Sequence, residues 1–284
     1  MLFWDNLRRS YINYLLIAAA AVFLAVWAAV FHGIQADKSS TGAKISFLNV
    51  GQGDAALLQL PESTQVLIDA GPDQQVVEQL SREMPFFDKK IEFVIISHFD
   101  SDHVGGLDEV ARSYDIGKIF LAEAQRGLPE EADIEELAAD SGAKVEFVSR
   151  GDTIYFYPPI KGEVLWPEVD SQGLKGNDLS LVVRIVGPQR KVLMTGDIEN
   201  KGQTYMFAVS DPASIKSDIL KFPHHGSQGA VNDKLFQIVD PKLVVISVGK
   251  NSYGHPSRQL LDYLVQVGIE FLRTDEVGTV RENL

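Results

Sequence analysis

A chain of 284 residues with 45% hydrophobic and 23% charged residues has the composition of a globular protein, with room for one large domain or two small ones. A formal net charge of −13 excludes a surface built as a whole to attract nucleic acid, so an anionic ligand has to be met locally. Without a single cysteine there is no disulfide framework, no thiolate ligand and no cysteine nucleophile.

From Ser10 to Ala36 no Asp, Glu, Lys or Arg occurs, and Ile12 to Phe31 is apolar apart from Asn13, a run of the length that crosses a bilayer. Trp4, Tyr11, Tyr14 and Trp27 lie near its ends or in its outer turns, and Arg8 and Arg9 precede it. This pattern predicts a single-pass transmembrane anchor over residues 1–36, with a cytoplasmic N-terminus and the remainder of the chain outside the cytoplasm. Cleavage after Ala36 and a soluble helix are the competing readings. Residues 37–44 read as a polar linker and 45–284 as one globular domain. Removing Asp5, Arg8 and Arg9 with the anchor takes away a charge of +1, so the exported part carries −14.

The domain opens with three apolar runs, Ile45 to Val50, Ala55 to Leu60 and Gln65 to Asp69, separated by Gly51-Gln52-Gly53-Asp54 and Pro61-Glu62-Ser63-Thr64, which is strand and turn chemistry. Helical spacing follows over Gln74 to Met84, a buried strand over Glu92 to Ser97, and a helix over His103 to Tyr114. Further strands are expected at 118–122, 144–148, 153–158, 163–166, 179–186, 191–195, 217–222, 243–247 and 270–273, with helices at 130–140, 200–209, 232–239 and 257–267. Strands alternating with helices predict an α/β domain of sheets covered by helices.

Apart from His32, every histidine lies in a loop following an apolar strand: His98, His103, His224, His225 and His255. Ligands collect at such strand ends, where loops from distant segments meet. In Ser97-His98-Phe99-Asp100-Ser101-Asp102-His103, alternate positions His98, Asp100 and Asp102 project together from extended chain while His103 begins a helix. One loop can thereby serve two metal ions. A helix cap by Asp102 would account for one carboxylate and leave the others unexplained.

This segment resembles the second motif of the metallo-β-lactamase superfamily, His-x-His-x-Asp-His. Together with Val50-Gly51-Gln52-Gly53-Asp54-Ala55, Leu67-Ile68-Asp69-Ala70-Gly71, Thr195-Gly196-Asp197, Leu220-Lys221-Phe222-Pro223-His224-His225-Gly226-Ser227 and Tyr253-Gly254-His255-Pro256, it is similar to the hydrolase domain of the ComEC family of DNA-uptake proteins. The resemblance implies an αββα sandwich of two mixed sheets flanked by helices, here in a stand-alone, membrane-anchored form without the multi-helix pore or the OB domain. Asn49 stands where that family usually has Asp.

The resemblance also implies the site. His98 and Asp100 would hold one divalent metal and Asp102 and His103 the other, with Asp197 bridging. Two cations about 3.5–4 Å apart repel each other, and a shared carboxylate lowers that cost. The superfamily's further histidine is missing, since none occurs from Leu107 to Thr195, and Asn177 and Asp178 stand at that point in the order. The harder ligand set that results brings Mn²⁺ beside Zn²⁺. Of the adjacent pair, one histidine is expected to reach the metals directly and the other to act behind them or on substrate, a choice the sequence leaves open; His224 is taken as a ligand and Asp102, His225 and His255 as catalytic groups, His255 being a candidate either for the last ligand or for a proton donor to the leaving group. Asp69 and Asp54 are expected behind the ligands, and Asn177, Ser180, Lys221 and Ser227 as phosphate contacts.

The function that follows is metal-dependent hydrolysis of a phosphodiester, DNA first, outside the cytoplasmic membrane and in contact with DNA-uptake machinery. The alternatives are hydrolysis of another phosphoester, a lactone or a lactam, and a metal-binding scaffold without turnover. One fold serves all of these chemistries, so the fold does not choose among them.

Overall fold

The computed structural model describes residues 14–27, 42–171 and 173–284. Residues 14–27 form helix α1. The ends of the expected spanning run lie outside the described residues, and among the described residues no helix is long and apolar enough to cross a membrane. Residues 42–284 form one compact unit.

That unit runs β1 (Lys44–Phe47), β2 (Ala56–Leu60), β3 (Thr64–Ile68), α2 (Gln75–Glu83), β4 (Lys90–Ile95), α3 (Ser101–Val104), α4 (Leu107–Ser113), β5 (Asp115–Ala122), α5 (Pro129–Ser141) and β6 (Lys144–Val148). It continues through β7 (Thr153–Tyr157), β8 (Ile160–Trp166), β9 (Val182–Val186), β10 (Lys191–Met194), α6 (Asn200–Val209), α7 (Pro212–Ile215), β11 (Ile219–Lys221), α8 (Asp233–Val239), β12 (Leu243–Ile246), α9 (Arg258–Val267), β13 (Glu270–Arg273), α10 (Thr274–Val277) and β14 (Val280–Asn283). Two seven-stranded sheets result, ordered β14-β1-β2-β3-β4-β5-β6 and β13-β12-β11-β10-β9-β8-β7. Each is mixed: β3 to β6 and β10 to β13 are parallel, and the remaining pairs are antiparallel.

Alternation along the strands explains the layers, because neighbouring side chains face opposite sides of a sheet. Leu58, Val66, Ile68 and Ile95 meet Val183, Ile185, Val192 and Val245 between the sheets. Their neighbours Leu57, Leu67 and Val94 face outward onto Val76 and Leu80 of α2 and Val110 of α4. On the far side Leu193, Leu220 and Val244 pack against Met206 of α6, Phe236 of α8 and Leu264 of α9. Helices, sheet, sheet and helices therefore form four layers.

Of the differences from expectation, three follow from identifiable contacts. The helix expected over 103–114 is two helices, because Gly106 N–H leaves the helical ladder to bond Gly71 O at 3.0 Å, a close approach that side chains at Gly105 or Gly106 would block by meeting the backbone of Pro72 or Ala70. The segment is folded tightly against the loop after β3. The first strand ends at Phe47 rather than Val50, where the chain turns to let Leu48 N–H bond Ala55 O at 2.8 Å. Strand β14 was unforeseen, since Val-Arg-Glu-Asn has no strand pattern. It pairs with β1, and Leu284 N–H donates to Ala43 O at 2.9 Å.

Candidate metal centre

The loops after β3, β4, β10, β11 and β12, and the turn before β2, converge on one rim. Leu181 N–H bonds Ser97 O at 2.8 Å and Asp54 N–H bonds Asp102 O at 3.1 Å, tying both sheets to the same loop. Gln125, fully buried, adds bonds from its amide to Ser97 O at 3.0 Å and Leu179 O at 3.1 Å. Nothing about an isolated glutamine in the sequence signals this role.

Three imidazoles are oriented in the same manner. His103 Nδ1 lies 3.0 Å from Asp69 Oδ2. Ser97 Oγ donates to Asp69 Oδ2 at 2.8 Å, so it accepts from His98 Nδ1 at 3.0 Å. His225 Nδ1 donates to Ser247 O at 2.9 Å. Each Nδ1 proton is thus engaged by a protein oxygen, and each Nε2 faces the others. His98 Nε2, His103 Nε2 and Asp197 Oδ1 are buried with no hydrogen-bond partner among the described residues.

His98, His103 and Asp197 offer ligand atoms all within 4.8 Å of one another, and so do Asp102, His103 and His225. Asp197 stands between the two groups, 3.3 Å from His103 Nε2 and 3.3 Å from His225 Nε2. Asp102 reaches His225 Nε2 at 3.1 Å. Asp100 lies half-exposed at the open side, 3.5 Å from His98 Nε2 and outside both groups. Bare buried nitrogens facing buried carboxylates fit divalent metal ions of borderline hardness.

Electrostatics follow from this crowding. Burial alone would lower the His103 pKa, but the Asp197 and Asp69 carboxylates outweigh it and raise it to about 10. Burial likewise opposes charge on His225, and Asp197 and Asp54 drive its pKa well above the usual histidine value. Asp197 would be raised by burial, yet His225, His103 and Lys221 hold it well below the carboxylate range. Metal-free, the centre keeps its charge balance with protons on imidazole.

The adjacent histidines are separated by a left-handed turn, with φ of 51° at both His224 and His225. His225 enters the centre. His224 lies outside, 3.8 Å from Asp197, with Nδ1 2.9 Å from Glu199 Oε1 and the Asn177 amide at 3.4 Å. Its ring is 5.3 Å from that of the half-buried His255. Burial, followed by His224 and His225, lowers the His255 pKa, so it is neutral at neutral pH.

Lys221, Ser180 and Ser227, expected as phosphate contacts, and Asp178, expected as an oxygen ligand, all have protein partners. Lys221 is 1% exposed, paired with Asp54, bonded to Gly196 O at 3.1 Å and 3.6 Å from Asp197, because it belongs to the buried strand β11. It is an internal counter-ion. Ser180 Oγ accepts the Asp197 N–H at 3.1 Å, and Ser227 Oγ accepts that of Gly229 at 3.2 Å. Asp178 caps the first turn of α6, its Oδ1 accepting Gly202 N–H at 2.8 Å. On the His98 side the rim opens into a cavity of about 280 Å³ lined by Phe99, Asp100, Leu128, Glu130 and Leu179.

Comparison with known proteins agrees with this geometry. The chain is 29% identical over 260 residues to ComE operon protein 3 of Bacillus subtilis, a match covering 85% of this chain and 33% of that protein. It is 28% identical over 197 residues to competence protein ComA of Neisseria gonorrhoeae, covering 69% and 26%. The chain thus spans about a third or less of the length of these relatives. Among solved structures, a diphosphatase of the PhnP family superposes with a TM-score of 0.52 at 14% identity, covering 85% of this chain and 98% of that one. Zinc-bound PqqB of Methylobacterium extorquens superposes with 0.54 at 12%, covering 85% and 100%. The metallo-beta-lactamase superfamily pattern matches residues 48–250, and the chain belongs to that superfamily, its domain being of the kind found in the competence proteins.

Proposed function

We propose that the protein is a membrane-anchored phosphodiesterase that uses two divalent metal ions, zinc or manganese, to cleave DNA outside the cytoplasm. The observation that carries this reading is the orientation of His98, His103 and His225, whose Nδ1 protons are all held by protein oxygens so that three Nε2 atoms face Asp102 and Asp197. In this reading His98 and Asp197, with Asp100 at the open side, would hold one metal, and Asp102, His103 and His225 the second, the single free Nε2 of His103 serving one ion only. When bound, such a pair supplies positive charge for the phosphoryl oxygens and activates water at neutral pH. Asp69, Ser97 and the Ser247 carbonyl keep His103, His98 and His225 in one tautomer, and Ser180 holds the backbone N–H of Asp197. His255, neutral and at the edge of the centre, serves as proton acceptor or N–H donor to substrate.

The competence relatives favour DNA as the phosphodiester, and the apolar run at residues 12–31 favours the membrane. With a net charge of −13, a nucleic acid is held by the metals and by exposed lysines on loops of the same rim, Lys175 and Lys250. The test is cleavage of single-stranded DNA, double-stranded DNA and bis(p-nitrophenyl) phosphate by the full chain loaded with Mn²⁺ or Zn²⁺. No metal-dependent cleavage of any of the three would refute the assignment; cleavage of the small ester alone would refute DNA as the substrate.

A further inference from the structure

Phe86 and Phe87 are the most exposed large apolar residues in the domain, at 80% and 79%. They do not sit on a loose loop. Asp88 N–H closes the turn on Pro85 O at 2.9 Å, Asp88 Oδ2 accepts from the Gln65 amide at 2.9 Å, and its Oδ1 accepts from Lys90 N–H. The two rings contact edge to face at 5.0 Å, so they support each other and nothing else covers them among the described residues. A braced turn that presents paired aromatic rings to the outside is shaped for an apolar partner.

The position of the turn identifies that partner. It precedes β4, whereas Ser97 to His103 follow β4, so the rings and the metal centre lie at opposite ends of one strand. The chain arriving from the N-terminal segment enters the sheet at Lys44, whose ammonium is 3.2 Å from Glu83, three residues before Phe86. Between Phe31, where the apolar run ends, and Lys44 there is chain for a span of at most about 45 Å at about 3.5 Å per residue. We propose that the Phe86–Phe87 turn inserts into the interfacial layer of the same bilayer, seating the domain with its metal centre turned away from the lipid. Phenylalanine inserts by its apolar area. Lys89 and Lys90 flank the turn, but Asp88, Asp115 and Glu62 are on the same rim, so the contact is apolar rather than electrostatic.

This inference rests on the N-terminal run being a membrane anchor, and the experiment separates the two. Because the chain has no cysteine, Phe87→Cys and, on the opposite rim, Tyr253→Cys each give one labelling site. The full chain is labelled with an environment-sensitive fluorophore and reconstituted into phosphatidylcholine vesicles, with and without phosphatidylglycerol and nitroxide-bearing lipid. The label at 87 is expected to be quenched several-fold more than the label at 253, in both lipid compositions and in 1 M salt. Flotation with the vesicles but equal quenching at the two sites would overturn the inference and leave the anchor standing. Failure to float would remove the anchor and the inference with it. A spectral shift at 87 that appears without lipid and grows with protein concentration would overturn it in favour of self-association.

Discussion

At the scale of single residues, the centre is a set of charges that balance only in company. Among the described residues Lys221 is the one ammonium inside it, facing Asp54 and Asp197. Lys221→Met leaves those carboxylates short of a counter-charge and should cost about 3–5 kcal/mol in chemical denaturation, as breaking a buried pair does. Lys221→Met with Asp54→Asn should recover much of that loss; equal losses in the single and double variants would show that the pair is not coupled. The sign for His103 is equally definite. Its folded pKa of about 10 lies above the histidine value of about 6.5, so its stabilisation is complete below about 6.5 and disappears as pH rises through about 10. The metal-free protein should therefore lose stability across that window. Coordination requires neutral imidazole, so metal uptake at pH 7 should release protons, measurable by calorimetry in buffers of different ionisation enthalpy. Uptake with no proton release would refute the assignment of His103 as a ligand. Asp69→Asn should weaken metal binding about 10–100-fold without unfolding the protein, because Asp69 aims His103.

What could be read in advance at this scale followed residue type. Imidazoles and carboxylates clustered after strands announced themselves, and His98, His103, Asp197 and His225 do meet. The roles of Lys221, Asp178 and Ser227 could not be read. A lysine, an aspartate or a serine at a strand end looks the same whether it faces substrate, caps a helix or neutralises a carboxylate, and only packing across the two sheets decides. Glu199 and Gln125 lie in no motif, so their hold on His224 and on the Ser97 carbonyl was invisible.

At the scale of elements, periodicity placed the strands and most helices because each has one apolar face, as Leu57 and Leu58 illustrate by serving different layers. It failed where a contact sets the boundary, at the break between α3 and α4 and at the edge strand β14. One element joint has a measurable consequence. Glu83, at the end of α2, accepts from Lys44 of β1 at 3.2 Å, from Ser46 at 3.1 Å and from Arg281 of β14 at 3.0 Å. Burial would raise its pKa, but the bonds from Arg281 and Lys44 lower it on balance. A depressed carboxylate stabilises the fold above its unfolded pKa and loses that contribution as pH falls through the folded value. Glu83→Gln should therefore destabilise the protein by about 1–2 kcal/mol at pH 7, discounted for the exposed Arg281, and by progressively less in acid. A loss independent of pH would assign its effect to packing.

At the scale of the whole molecule, both sheets end on the metal rim and hold it from two sides. Metal bound there joins loops that otherwise meet through a few hydrogen bonds, so chelation should lower the melting temperature. An unchanged melting temperature after exhaustive chelation would mean that no metal spans the rim. The return of β14 to β1 has a different consequence. With Leu284 bonded to Ala43, the two ends of the fold leave it side by side. Such a body can be spliced into a host chain as a single cassette, or have its ends fused and be reopened elsewhere. A circular permutant that links 284 to 43 through a short flexible peptide and opens the surface loop near Gly173 should fold and take up metal as the parent does. Loss of both would mean that β14 cannot pair with β1 when the two are joined directly.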